Sequence, residues 1–284
     1  MIRGSCLCNS VRWEIDGPVG NMSHCHCSIC RKAHGAPFAT YLSTDAQNYR
    51  LVADTEVIKE HGYSPRLTRA FFCATCGSVV PMMVGARAVI PAGCLDDDPD
   101  IRPDMHIFTG SKAPWHAIDD NLPQHDAYPA EVGLAASPMP ARQSETPGRI
   151  HGSCLCGGVA FEISAPFDIV HNCHCRRCRK ARAAGHTTNG FLSIDAFHFL
   201  RGADLLDRYQ VPEARSFAQS FCRVCGSGMP RPRPDTGKVT IPLGCLDDDP
   251  GQGADDHIFT GSKAPWYEIM DGLPRFHEMS TPGF

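Results

Sequence analysis

Every cysteine of this chain has a counterpart in a second copy of the same pattern, and that repeat limits the fold more than any other feature. Cys6, Cys8, Cys25, Cys27, Cys30, Cys73, Cys76 and Cys94 recur in order as Cys154, Cys156, Cys173, Cys175, Cys178, Cys222, Cys225 and Cys245. The shift is 148 residues from Cys6 to Cys154, 149 from Cys73 to Cys222 and 151 from Cys94 to Cys245. Drift that small means one fold built twice. The flanks repeat too: GSCLC at 4–8 and 152–156, GCLDDDP at 93–99 and 244–250, and HIFTGSKAPW at 106–115 and 257–266.

The 284 residues hold two domains of ordinary size. The repeat sets them at 1–126 and 149–284, joined by the Pro/Ala/Ser-rich stretch 127–148, which reads as a linker. Hydrophobic content of 42% and charged content of 20% describe a soluble globular chain without a membrane span. The opening MIRGSCLCNS lacks a secretory core, so a cytoplasmic protein with reduced thiols is expected, and closely spaced cysteines then read as metal ligands before disulfides. A net charge of -4 disfavours nucleic acid as the main partner.

Short period-two segments predict strands: Val11 to Ile15 and Val159 to Ile163 alternate, and Ala88-Val89-Ile90 and Val239-Thr240-Ile241 each precede a proline. No stretch sustains a long amphipathic helix, although Cys30 to Ala33 can open one helical turn. The fold expected is mainly antiparallel β, with zinc standing in for part of each core.

Each copy supplies two kinds of thiolate set. Cys6, Cys8, Cys73 and Cys76, with Cys154, Cys156, Cys222 and Cys225 in copy two, fill all four positions of a tetrahedral zinc and make a closed, structural site. Cys25, Cys27 and Cys30, with Cys173, Cys175 and Cys178, supply three ligands and leave the fourth position for a water or substrate thiol. About four zinc ions per chain follow. Cys94 and Cys245 stand alone, as buried small hydrophobes do, although Cys94 as a fourth ligand would close the open site. His24, His26 and His174 adjoin the open sets. His26 is expected in a solvent-facing or supporting role, since neighbours in an extended segment point oppositely. His106 and His257 read as packed histidines at strand starts, and Asp96-Asp97-Asp98 and Asp247-Asp248-Asp249 as solvated turns. Arg31 and Lys32 are candidates for binding a substrate carboxylate.

GSCLC, SHCHCSICRKAHGAPF at 23–38, FFCATCGS at 71–78, GCLDDDP and HIFTGSKAPW together resemble the glutathione-dependent formaldehyde-activating enzyme family, whose relatives include centromere protein V. The resemblance covers nearly all of both copies. It implies two tandem zinc-binding β-tent domains, a structural zinc on Cys6, Cys8, Cys73 and Cys76, and a second zinc, tied to glutathione and catalysis, on Cys25, Cys27 and Cys30. The chain departs from the family pattern in its tandem fusion and in copy two, where RAAGHTTNG at 182–190 replaces HGAPFAT at 34–40 and residues look to have been gained before Phe191.

The function expected is that of a carbon–sulfur lyase-type enzyme. It would bind glutathione or a similar small thiol at the open zinc and form or cleave the S-hydroxymethyl adduct with an aldehyde, chiefly in copy one. The alternative is a zinc-stabilised thiol carrier or a protein- or nucleic-acid-binding module. Its support is the basic run Arg176, Arg177, Arg179, Lys180 and Arg182.

Overall fold

A computed structural model describes residues 1–52, 55–62, 69–129 and 148–280. Most of the stretch read as a linker, 130–147, lies outside the described residues. Both copies are mainly β, with two α-helices among the described residues, α1 at Ser28–His34 and α2 at Arg176–Arg182.

The alternating segments form strands where the pattern places them: Arg12–Ile15 and Ala160–Ile163 each sit at the centre of a three-stranded sheet. In copy one, Ile2–Ser5 and Tyr49–Leu51 flank the central strand; in copy two, Ile150–Ser153 and Phe197–Arg201 do so. Trp13 and Ile15, two residues apart on one face, are both buried, as are Phe161 and Ile163.

The larger sheets carry the open cysteine sets. Val19–Cys25 pairs antiparallel with Ala39–Asp45, which pairs with Arg87–Pro91. Ile169–Cys173, Thr187–Ser193 and Lys238–Pro242 repeat this order. The arrangement is not wholly antiparallel, because Met105–Ile107 and Asp256–Ile258 run parallel to the cysteine-bearing strands. That pairing brings each HIF segment beside its CHC segment, a non-local register that no local periodicity encodes.

Copy two gains no residues before Phe191. Cys25 faces Ala39 and Cys173 faces Thr187 in the two sheets, so the 148-residue shift holds through this stretch and the divergence is one of side chains alone. The helix ends alike in both copies, with Gly35 at φ 57° and Ala183 at φ 52° in the left-handed region that glycine tolerates best.

The two copies exchange parts of their cores. Ile29 and Ala33 of α1 are buried in the copy-two core among Leu155, Leu243 and Leu246, and Trp115 packs against it. Ala183, Ala264 and Trp266 of copy two are buried in the copy-one core with Val79, Val80 and Leu95. The glycines of the GCLDDD segments mark the closest approach. A Cβ on Gly93 would lie 2.1 Å from the Ala184 nitrogen, and one on Gly244 would lie 2.3 Å from the Ala36 nitrogen. Only glycine lets each 3-10 turn meet the backbone after the other copy's helix.

Buried charge fixes the same contact. Lys32, 3% exposed, donates to the Ser153 carbonyl at 2.9 Å, the Ser153 hydroxyl at 3.0 Å and the Cys245 carbonyl at 3.2 Å, and pairs with Asp247 at 2.7 Å. Lys180 mirrors it, pairing with Asp96 at 2.7 Å and donating to the carbonyl and hydroxyl of Ser5. Lys32 is committed to the other copy and is not available for a substrate carboxylate, and Asp96 and Asp247 anchor the interface where solvated turns were read.

Candidate metal centres

Each four-thiol set is assembled by two turns. Cys6 and Cys8 follow the strand Ile2–Ser5; Cys73 ends the strand Arg69–Cys73, and the turn after it closes through a 2.8 Å bond from the Gly77 N–H to the Cys73 carbonyl. Their four sulfurs lie within 4.8 Å of one another, as do those of Cys154, Cys156, Cys222 and Cys225. Sulfur separations of 3.5 Å for Cys6 and Cys8, 3.6 Å for Cys8 and Cys73 and 3.3 Å for Cys154 and Cys156 lie well beyond a disulfide bond of about 2.05 Å. They approach the roughly 3.8 Å edge of a tetrahedron with zinc–sulfur bonds of about 2.3 Å. The Val11 N–H donates to Cys6 Sγ at 3.3 Å and the Val159 N–H to Cys154 Sγ at 3.2 Å, contacts that favour thiolate.

Each three-thiol set is local. The extended residues Cys25 to Cys27 put two sulfurs on one side, and the first turn of α1 brings Cys30 beneath them; Cys27 caps that turn by accepting the Cys30 N–H at 3.3 Å. Cys175 caps α2 in the same way. The sulfurs of Cys25, Cys27 and Cys30, and those of Cys173, Cys175 and Cys178, again lie within 4.8 Å. Hydrogen bonds from Cys25 and then Cys30 pull the Cys27 thiol well below its ordinary pKa, and bonds from Cys173 and Cys178 lower Cys175 to about 3. Thiols gathered this closely cannot all ionise without a cation among them, and the donor set fits soft, tetrahedral zinc. Cys94 belongs to neither set: it is fully buried, with its sulfur toward the carbonyls of Val79 and Lys180. Cys245 likewise donates to the Gly228 carbonyl at 2.6 Å.

The histidines beside the open sets face the interior. His26 is 0% exposed, and its Nε2 lies 2.8 Å from His106 Nδ1, while His106 Nε2 lies 3.0 Å from Asp120. His174, His257 and Asp271 repeat the chain at 2.8 Å and 2.9 Å. A carboxylate only accepts, so His106 donates through Nε2, and with the Nε2 of His26 on His106 the ring nitrogen of His26 left over is Nδ1. That atom and the matching Nδ1 of His174 have no partner. Burial holds His26 at about 3 and His174 far below its ordinary value, so both are neutral at pH 7. His26 does not face solvent, which was one of the two roles expected for it. Asp120 and Asp271 escaped the sequence reading, although they recur at the same 151-residue shift as His106 and His257.

Arg31 lies at the edge of the copy-one open set. Burial lowers its pKa, the Cys27 charge opposes that shift, and its Nε is buried without a partner. The basic run of α2 is mostly consumed by folding. Arg179, Lys180 and Arg182 are buried, so only Arg176, paired with Asp96 at 2.6 Å, and Arg177 remain exposed of the run that favoured a polyanionic partner.

Among solved structures, a Rhodobacter sphaeroides protein aligns over 44% of this chain and 98% of its own, at 21% identity and a TM-score of 0.29. No helix among the described residues is long and apolar enough to cross a membrane. The model of the glutathione-dependent formaldehyde-activating enzyme family matches residues 1–111 and again residues 149–262. Both stretches contain complete four-thiol and three-thiol sets, and the chain belongs to that family as two tandem copies.

Proposed function

We propose that the chain is a zinc-dependent carbon–sulfur lyase-type enzyme that binds glutathione or a similar thiol at its three-cysteine sets and forms or cleaves the S-hydroxymethyl adduct with formaldehyde or a related aldehyde. One observation carries the reading: three sulfurs converge and would leave one tetrahedral position on a zinc, in a chain of the glutathione-dependent formaldehyde-activating enzyme family. Zinc held by Cys25, Cys27 and Cys30 would lower the pKa of a fourth, substrate thiol. In the forward direction the substrate sulfur donates its pair to the aldehyde carbon, the carbon–oxygen π bond opens, and the new alkoxide takes a proton to become the hydroxymethyl group. The reverse direction returns the proton and breaks the carbon–sulfur bond.

The protein's share is binding, orientation and exclusion of water. Arg31 offers a cation beside Cys27 for a carboxylate of the tripeptide. The chains from Asp120 and Asp271 lock the rings of His26 and His174, which stiffens the backbone between two ligand cysteines in each copy. The domain limits 1–126 and 149–284 and a cytoplasmic location belong to the same proposal. Calorimetric titration with glutathione, followed by NMR observation of adduct formation from formaldehyde, tests it. Binding together with adduct formation faster than the buffer reaction is expected. Absence of glutathione binding would overturn the reading, and binding without acceleration would leave a thiol carrier.

A further inference from the structure

A cavity of about 400 Å³ lies between the copies, with Trp115, His116 and Asp119 of copy one facing Asn172, His186 and Tyr267 of copy two. The positions equivalent to part of its lining carry bulkier side chains in copy one. His24 and Phe38 stand there at the positions of Asn172 and His186, and Arg102 at that of Gly253. Phe38 packs edge-on against His24 at 4.6 Å and lies 6.2 Å from Tyr267, while Arg102 is drawn to Asp98 at 2.9 Å. In copy two all three side chains are smaller or more polar, and Gly253 lets the walls close: a Cβ there would lie 3.0 Å from the Trp115 carbonyl.

His186 is 2% exposed, yet neither of its ring nitrogens has a hydrogen-bond partner. Burial lowers its pKa to about 3, so the ring is neutral and leaves one donor and one acceptor unused. Such a group is costly to bury unless something meets it. The lining holds two carboxylates, Asp119 and Asp271, the second already accepting from His257 Nε2 and the Leu273 N–H, and neither lysine nor arginine. Lys263 and Arg275 alongside donate to the carbonyls of Tyr267 and Asp271. Trp115 and Tyr267 add aromatic faces, which attract cations.

We propose that this cavity binds one small organic amine that also carries a hydroxyl or carbonyl oxygen, its ammonium facing Asp119 and Asp271 and its oxygen meeting His186. The oxygen of such a ligand meets one of the two imidazole nitrogens, a hydroxyl as donor or acceptor and a carbonyl as acceptor only. The site is independent of the thiol reading: an anionic thiol meets two carboxylates here and no cation.

The test uses the full chain, calorimetry and tyramine as the probe, with 3-(4-hydroxyphenyl)propionate as an anion of similar shape. One tyramine per chain is expected, with the propionate at least about tenfold weaker. His186→Phe, which installs the copy-one side chain, should weaken tyramine by about tenfold or more, and Asp119→Asn, at an exposed position, by a similar factor without disturbing the fold. Equal affinity for the anion, two tyramines per chain, undiminished binding by both variants, or no binding at millimolar tyramine would each overturn the proposal.

Discussion

At the scale of single residues, identical letters in the sequence carry different duties. Lys32 and Arg31 are adjacent cations, but Lys32 lies in the other copy's interior with four oxygen contacts, while Arg31 feels both Cys27 and, from the other copy, Asp247. Lys32→Ala should therefore destabilise the chain by about 3–5 kcal/mol, because it leaves Asp247 buried without its partner. Thermal or denaturant unfolding measures this, and a loss of thiol affinity with unchanged stability would reverse the assignment. Arg31→Ala should do the opposite, weakening glutathione binding by about tenfold at nearly unchanged melting temperature. Adjacency in sequence could not separate the two, since what distinguishes them is the neighbour each meets across the interface. The cysteines were legible because metal ligation demands a residue type at a fixed spacing. Asp120 and Asp271 were not, because a lone carboxylate has no local signature; only the repeat shift ties each to its histidine.

At the scale of elements, the two thiol sets differ in what they join. Cys6 and Cys8 meet Cys73 and Cys76 across more than sixty residues, whereas Cys25, Cys27 and Cys30 span one strand end and one helical turn. Loss of a ligand in the first set removes metal-binding free energy that is also folding free energy. Cys73→Ala should accordingly unfold copy one, while Cys27→Ala should leave the fold in place and abolish thiol binding there. Equal drops in melting temperature would contradict that division. Between copies, Cys27→Ala should remove more glutathione binding than Cys175→Ala, since the HGAPFAT continuation at 34–40 is replaced by RAAGHTTNG at 182–190 in copy two. Equal losses, read calorimetrically, would show the open sets to be equivalent. Strands such as Arg12–Ile15 and Ala160–Ile163 were readable from alternation, and of the short helices only the turn at Cys30 to Ala33. The parallel pairing of the HIF segments with the cysteine strands was not, because it is a contact between distant segments.

At the scale of the whole molecule, the duplication has become one interlocked body. Each helix completes the other copy's core, and the Lys32–Asp247 and Lys180–Asp96 pairs are buried between the copies. Residues 1–129 expressed alone should expose these groups and be recovered as a dimer or as insoluble protein, with light scattering as the readout. A soluble monomer as stable as the full chain would refute the interdependence. The repeat foretold two copies, but their exchange of parts lies in shape complementarity around Gly93 and Gly244, which the letters alone do not express. The fold and the proposed chemistry both depend on the thiol sets being metal sites, two closed and two open. Zinc per chain, measured by elemental analysis of protein purified without added metal, tests this most directly: the account requires about four, whereas about two would confine zinc to the closed sets and negligible zinc with intact protein would contradict the metal reading altogether.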